Sequence, residues 1–97
     1  MSVNVILELQ AKEESINELK ATLENILPDT RGFEGCVSVQ VTTNQDDPLN
    51  LVLLEVWESR ESNEKYLGWR TETGALEALG AMLSQPPSIR YFDGLDS

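Results

Sequence analysis

Leu49-Asn50-Leu51-Val52-Leu53-Leu54-Glu55-Val56-Trp57-Glu58 is the run whose reading decides the fold. The turn-prone Asn44-Gln45-Asp46-Asp47-Pro48 precedes it and the polar Ser59-Arg60-Glu61-Ser62 follows it, so it reads as a strand. Alternation sets Leu49, Leu51, Leu53, Glu55 and Trp57 on one face and Asn50, Val52, Leu54, Val56 and Glu58 on the other. Both faces are largely apolar, and both need cover. A chain of 97 residues has few elements to supply it, and that shortage leads to a second subunit and then to a pocket.

Upstream, Cys36-Val37-Ser38-Val39-Gln40-Val41-Thr42 alternates with its valines one way and Ser38, Gln40 and Thr42 the other. A loop of about seven residues joins it to the central run, which suits a hairpin. Val3 to Gln10 is a further strand, with Val3, Val5, Leu7 and Leu9 on one face and Asn4, Ile6, Glu8 and Gln10 on the other. Between these strands Ile16, Leu19, Leu23, Ile26 and Leu27 make one helical stripe from about Glu13 to Leu27. Its start is either the acidic Glu13-Glu14 or a capping box over Ser15-Ile16-Asn17-Glu18, and Pro28 predicts its stop. Gly32 and Gly35 mark the loop that follows.

Beyond Trp57, Ser59 caps a helix to about Trp69, and a second helical piece runs from about Gly74 to Leu83, ended by Pro86-Pro87. Ser88 to Asp93 is a last short strand, and Gly94 to Ser97 reads as a frayed tail. The order β-α-β-β-α-β is the ferredoxin-like, split-βαβ plan of the α+β class: a four-stranded antiparallel sheet with helices on one side. Residues 1–97 make a single domain with its core over about 3–92. The helices leave one apolar sheet face bare, and a twofold homodimer joined sheet to sheet is the economical cover.

Seven basic against seventeen acidic residues give a net charge of −10, which argues against nucleic acid or an anionic membrane surface as partner. No run reaches the ~20 apolar residues of a membrane span, and Met1-Ser2-Val3-Asn4 lacks the pattern of a signal peptide, so a cytoplasmic location is expected. The single Cys36 cannot close an intrachain disulfide and agrees with a reducing compartment. There is no histidine, which removes the usual general base and the commonest metal ligand. No metal site and no dinucleotide or phosphate-binding glycine motif can be drawn, and no cofactor is expected.

The residues left to carry chemistry are aromatic and polar. Tyr66 and Trp69 lie three apart on one helical face, and a turn back from the strand brings both near Trp57. They either line an aromatic cavity between helices and sheet or simply fill the core. Glu55, on the same strand face as Leu51, Leu53 and Trp57, either pairs with Arg31, Arg70 or Arg90 or has a raised pKa and serves as a base, the pairing being the expected case. Asn4 can donate its amide hydrogens to a ligand oxygen or lie solvated.

Leu23 to Pro28, then Thr30-Arg31-Gly32-Phe33-Glu34-Gly35-Cys36, then Leu51 to Ser59, resemble the antibiotic biosynthesis monooxygenase family, which includes quinol monooxygenases. The resemblance covers roughly residues 3–92. It implies a dimeric α+β barrel that oxidises phenolic or quinol-like aromatics with O2 and no prosthetic group. On that reading Tyr66, Trp57 and Asn4 are the catalytic candidates, and Trp69, Arg70 and Glu55 bind the substrate. Many members carry a histidine nine residues after the strand tryptophan, and here that position is Tyr66. The missing histidine also disfavours the haem-degrading branch. The alternative is a non-catalytic ligand-binding or regulatory barrel that kept the fold and lost turnover.

Overall fold

The computed structural model of the chain describes residues 2–95. In chain order it has β1 (Val3–Gln10), a 3-10 turn (Glu13–Ser15), α1 (Ile16–Arg31), β2 (Cys36–Thr43), β3 (Asn50–Trp57), α2 (Arg60–Glu72), α3 (Ala75–Ala81) and β4 (Ser88–Phe92). The four strands form one antiparallel sheet in the order β2-β3-β1-β4. This is the α+β, ferredoxin-like plan. The central run is β3, paired on both sides, so none of its backbone groups is left at an edge.

Register fixes which side chains share a face. Val5 lies opposite Glu55, Leu7 opposite Leu53 and Leu9 opposite Leu51, and these point at the helices. Ile6 lies opposite Leu54 and Glu8 opposite Val52 on the bare face. The covered face holds two buried clusters. One joins Leu9, Leu51 and Leu53 to Leu19, Leu23 and Leu27 of α1, and the other joins Val3, Val5 and Trp57 to Tyr66 of α2. On the bare face Leu54 and Phe92 keep 40% and 44% of their surface exposed, which for side chains of this size marks a face without cover.

Several boundaries differ from the sequence expectation. α1 runs through Pro28 to Arg31 rather than stopping at Leu27. A proline removes its own N–H and crowds the carbonyl four residues before it, and the extra turn is held from outside: Arg70 Nη2 donates to the Ile26 carbonyl at 2.8 Å and to Thr30 Oγ1 at 3.2 Å. The three valines of β2 do not share one face. A bulge between Cys36 and Ser38 leaves Val37 unpaired and 59% exposed, while Val39 is buried on the helix side. Glu55 forms no ion pair among the described residues: Arg31 reaches the Val39 carbonyl, Arg70 reaches α1 and Tyr66, and Arg90 faces Glu8 at 3.7 Å on the bare side. Of the expected tail, Gly94 and Leu95 are exposed coil; Asp96 and Ser97, like Met1, lie outside the described residues.

Two glycines have φ angles that a side chain resists. Gly35 sits at φ 93°, and a Cβ there would lie 2.5 Å from Cβ of Ser62, so its lack of a side chain lets the β2 entry loop press against the start of α2. Its carbonyl accepts from the Glu58 N–H at 2.7 Å, which fastens that loop to the end of β3. Gly74, at φ 81°, forms the joint between α2 and α3.

Candidate functional site

Ser59 starts α2 by accepting the Ser62 N–H at 3.1 Å, and that cap sets the phase of the whole helix. Asn63, Tyr66 and Arg70 follow at i, i+3 and i+7, all on the buried stripe. A helix that buries an amide, a phenol and a guanidinium toward a sheet must satisfy them there, and the structure shows how it does so.

Tyr66 is the hub. Its hydroxyl lies 2.5 Å from Thr30 Oγ1 and accepts from Arg70 Nε at 2.8 Å. Its ring centroid is 5.2 Å from those of Trp57 and Phe33 and 6.0 Å from that of Trp69. Arg70 is 6% exposed, has no carboxylate partner among the described residues, and stacks over Trp69 with its guanidinium carbon 4.4 Å from the ring centroid. A buried cation without a counter-charge persists only where acceptors and π-faces surround it, and here those are Tyr66, Thr30, the Ile26 carbonyl and Trp69.

Glu55 lies beside this hub. It is 7% exposed, and its hydrogen bond is a single one, from Trp57 Nε1 at 2.8 Å. Burial raises its pKa above the ordinary carboxylate value, and the indole donor only partly offsets that. Cys36's own partial burial, with the nearby Glu55 charge, raises its thiol pKa, and the Arg31 guanidinium partly offsets that. Asn63 is 2% exposed and accepts from the Tyr91 hydroxyl at 2.7 Å through Oδ1.

Between the sheet and the helices Glu55, Asn63, Tyr66 and Thr30 line a cavity of about 40 Å³ whose other walls are aliphatic, among them Val5, Leu53 and Leu67. It sits at the seam of the two buried clusters. That volume admits one or two waters, whereas a cavity that takes up a benzene ring is on the order of 150 Å³. A buried carboxylate of raised pKa, an amide and a phenol around an apolar hollow can accept a proton from a bound hydroxyl and hydrogen-bond the oxygen left behind.

Of the sequence candidates, Tyr66 and Glu55 meet at this cavity. Trp57 and Arg70 support them from behind, through Glu55 and through the Tyr66 hydroxyl. Trp69 stacks on Phe33 at 5.5 Å instead of lining the hollow. Asn4 is not brought to it: alternation places Asn4 beside Val56 and Phe92 on the bare face. Thr30 and Asn63 were not singled out by the sequence. Thr30 continues the stripe of Leu19, Leu23 and Leu27, and Asn63 shares the spacing of Tyr66 and Arg70, so periodicity carried past the apolar residues would have found both. Among the described residues no group of three or more acidic, cysteine or histidine side chains is placed to hold a metal, and no helix is long and apolar enough to cross a membrane.

The sequence model of the family described as antibiotic biosynthesis monooxygenase matches residues 2–78. No curated protein matches the chain. Among solved structures, a Mycobacterium tuberculosis protein is 25% identical with a TM-score of 0.87, the match covering 100% of this chain and 98% of that one. A conserved protein from Methanosarcina mazei is 21% identical with a TM-score of 0.86, covering 95% and 91%. A protein described as an antibiotic biosynthesis monooxygenase is 20% identical with a TM-score of 0.87, covering 97% and 99%.

Proposed function

Because the chain belongs to the antibiotic biosynthesis monooxygenase family, we propose that it oxidises a small phenolic or quinol-type aromatic with O2, without a prosthetic group, as a cytoplasmic homodimer of one 97-residue domain. The observation that carries this reading is Glu55: a buried carboxylate, bound by one indole N–H, facing an apolar hollow that it shares with Asn63 and Tyr66.

Glu55, its pKa raised toward that of a phenol, takes the hydroxyl proton of the substrate. Asn63 and Tyr66 hydrogen-bond the oxyanion, with Tyr66 standing where many relatives carry a histidine. The electron-rich anion passes an electron to O2, and the radical pair combines at a ring carbon. Loss of water then gives a quinone: phenol plus O2 becomes quinone plus H2O, so the ring supplies all the electrons and no outside reductant enters. Trp57 and Arg70 act as positioning residues, one holding Glu55 and the other the Tyr66 hydroxyl.

An aromatic ring needs more room than about 40 Å³. Binding therefore goes with outward movement of the wall formed by Leu67 and Leu76, which flank the Gly74 joint. The bare sheet face, with Ile6, Leu54, Val56 and Phe92, is the surface that a twin subunit covers.

The narrow hollow and the tyrosine at position 66 favour a second reading, a ligand-binding protein of the same fold without turnover. Oxygen uptake with a panel of quinols separates the two. Turnover that falls in Tyr66→Phe and Glu55→Gln supports the oxygenase, and saturable binding with no uptake supports the binding protein.

A further inference from the structure

A second cavity, of about 90 Å³, adjoins the first beneath α3. The two share Leu7, Leu67, Leu76, Leu79 and Ile89 as walls. They form two chambers of one crevice. The first carries every polar side chain, Thr30, Glu55, Asn63 and Tyr66. The second is closed by Leu9, Leu83 and Pro87 and offers no side-chain donor or acceptor. An apolar hollow of this kind stays dry and gains contacts when hydrocarbon fills it.

We infer that the second chamber is an alkyl subsite: the ligand is an amphiphile whose hydroxyl sits at Glu55 and Asn63 and whose short unbranched alkyl chain lies under α3. That the head is a phenol rests on the function proposed above; that the tail is hydrocarbon rests on the walls of the second chamber alone. At about 30 Å³ per water-sized group, a chamber of about 90 Å³ takes about three carbons.

The test is a binding series with the full chain, from 4-methylphenol to 4-hexylphenol, followed by quenching of tryptophan fluorescence. Affinity rises about fourfold per methylene through about propyl and levels off thereafter. Leu83→Trp, at a residue that lines the second chamber and not the first, fills most of that chamber and abolishes the increments while leaving the shortest phenol unchanged. Leu76→Ala, at a residue already 36% exposed, removes bulk from the shared wall and moves the plateau to longer chains. Phenols that bind with no dependence on chain length, or increments that survive Leu83→Trp, overturn the subsite and leave the phenolic reading standing. Straight-chain alkanols that bind as tightly as the alkylphenols support the subsite and sink the phenolic reading. Failure of both series to bind overturns the subsite.

Discussion

Glu55→Gln should make the protein more stable and less active at once. The amide has the shape of the carboxylate and still accepts the Trp57 N–H now 2.8 Å from Glu55 Oε1. What disappears is the charge, which at 7% exposure meets one donor and no cation among the described residues. The sign follows from the direction of the shift. A carboxyl whose folded pKa is raised binds its proton more tightly in the native state, so wild-type stability falls as pH rises from the unfolded pKa of about 4.5 through the raised folded value. Below that window both side chains are neutral and the two proteins should unfold alike. Above it the variant gains on the order of 1 kcal/mol, the scale on which one uncompensated buried polar group is felt. For a domain of this length that is roughly 4–8 °C in Tm. Removing a general base lowers turnover by about 10²–10⁴-fold. Thermal melts at pH 4 and pH 8, at one fixed protein concentration, together with oxygen uptake on a quinol, measure both effects. A variant that is less stable at pH 8 than wild type refutes the uncompensated charge, and undiminished turnover refutes the base.

Other perturbations follow from the same contacts. Tyr66→Phe takes from the buried Arg70 Nε its acceptor at 2.8 Å and should cost about 1–3 kcal/mol in chemical denaturation. Gly35→Ala forces a side chain onto φ 93° and against Ser62, so a loss of roughly 1–3 kcal/mol is expected; Gly35→Ala with Ser62→Gly should recover only the steric part. Leu54→Lys places a charge in the middle of the bare face: sedimentation at micromolar concentration should show a dimer become a monomer, and a wild type that already sediments as a monomer contradicts the twin-subunit assembly.

The sheet was legible because strand burial repeats every two residues, and the register lets Leu51, Leu53 and Trp57 face the helices as alternation requires. Pro28 misled for a physical reason. The turn after it is stabilised by Arg70, a residue distant in sequence, and local propensity knows nothing of that contact. The bulge at Val37 was hidden likewise, since an alternating sequence does not announce one extra residue. Within the site, the proximity of Trp57, Tyr66 and Trp69 could be read from spacing, whereas the lining of the hollow could not. Asn4 was a candidate for its amide alone, and the alternation that buries Val3 and Val5 turns it to the other side, away from the hollow. Glu55 presented two outcomes, and the choice depended on where three arginines go, which only the fold decides.

The most direct measurement is the fate of the two oxygen atoms. Purified protein, with no added cofactor, is incubated with a quinol under ¹⁸O₂, and the organic product and the water are analysed by mass spectrometry. The account predicts one labelled oxygen in the ring and one in water, with no hydrogen peroxide. Quinone formed without label and with stoichiometric peroxide, or no turnover of any quinol, would contradict it.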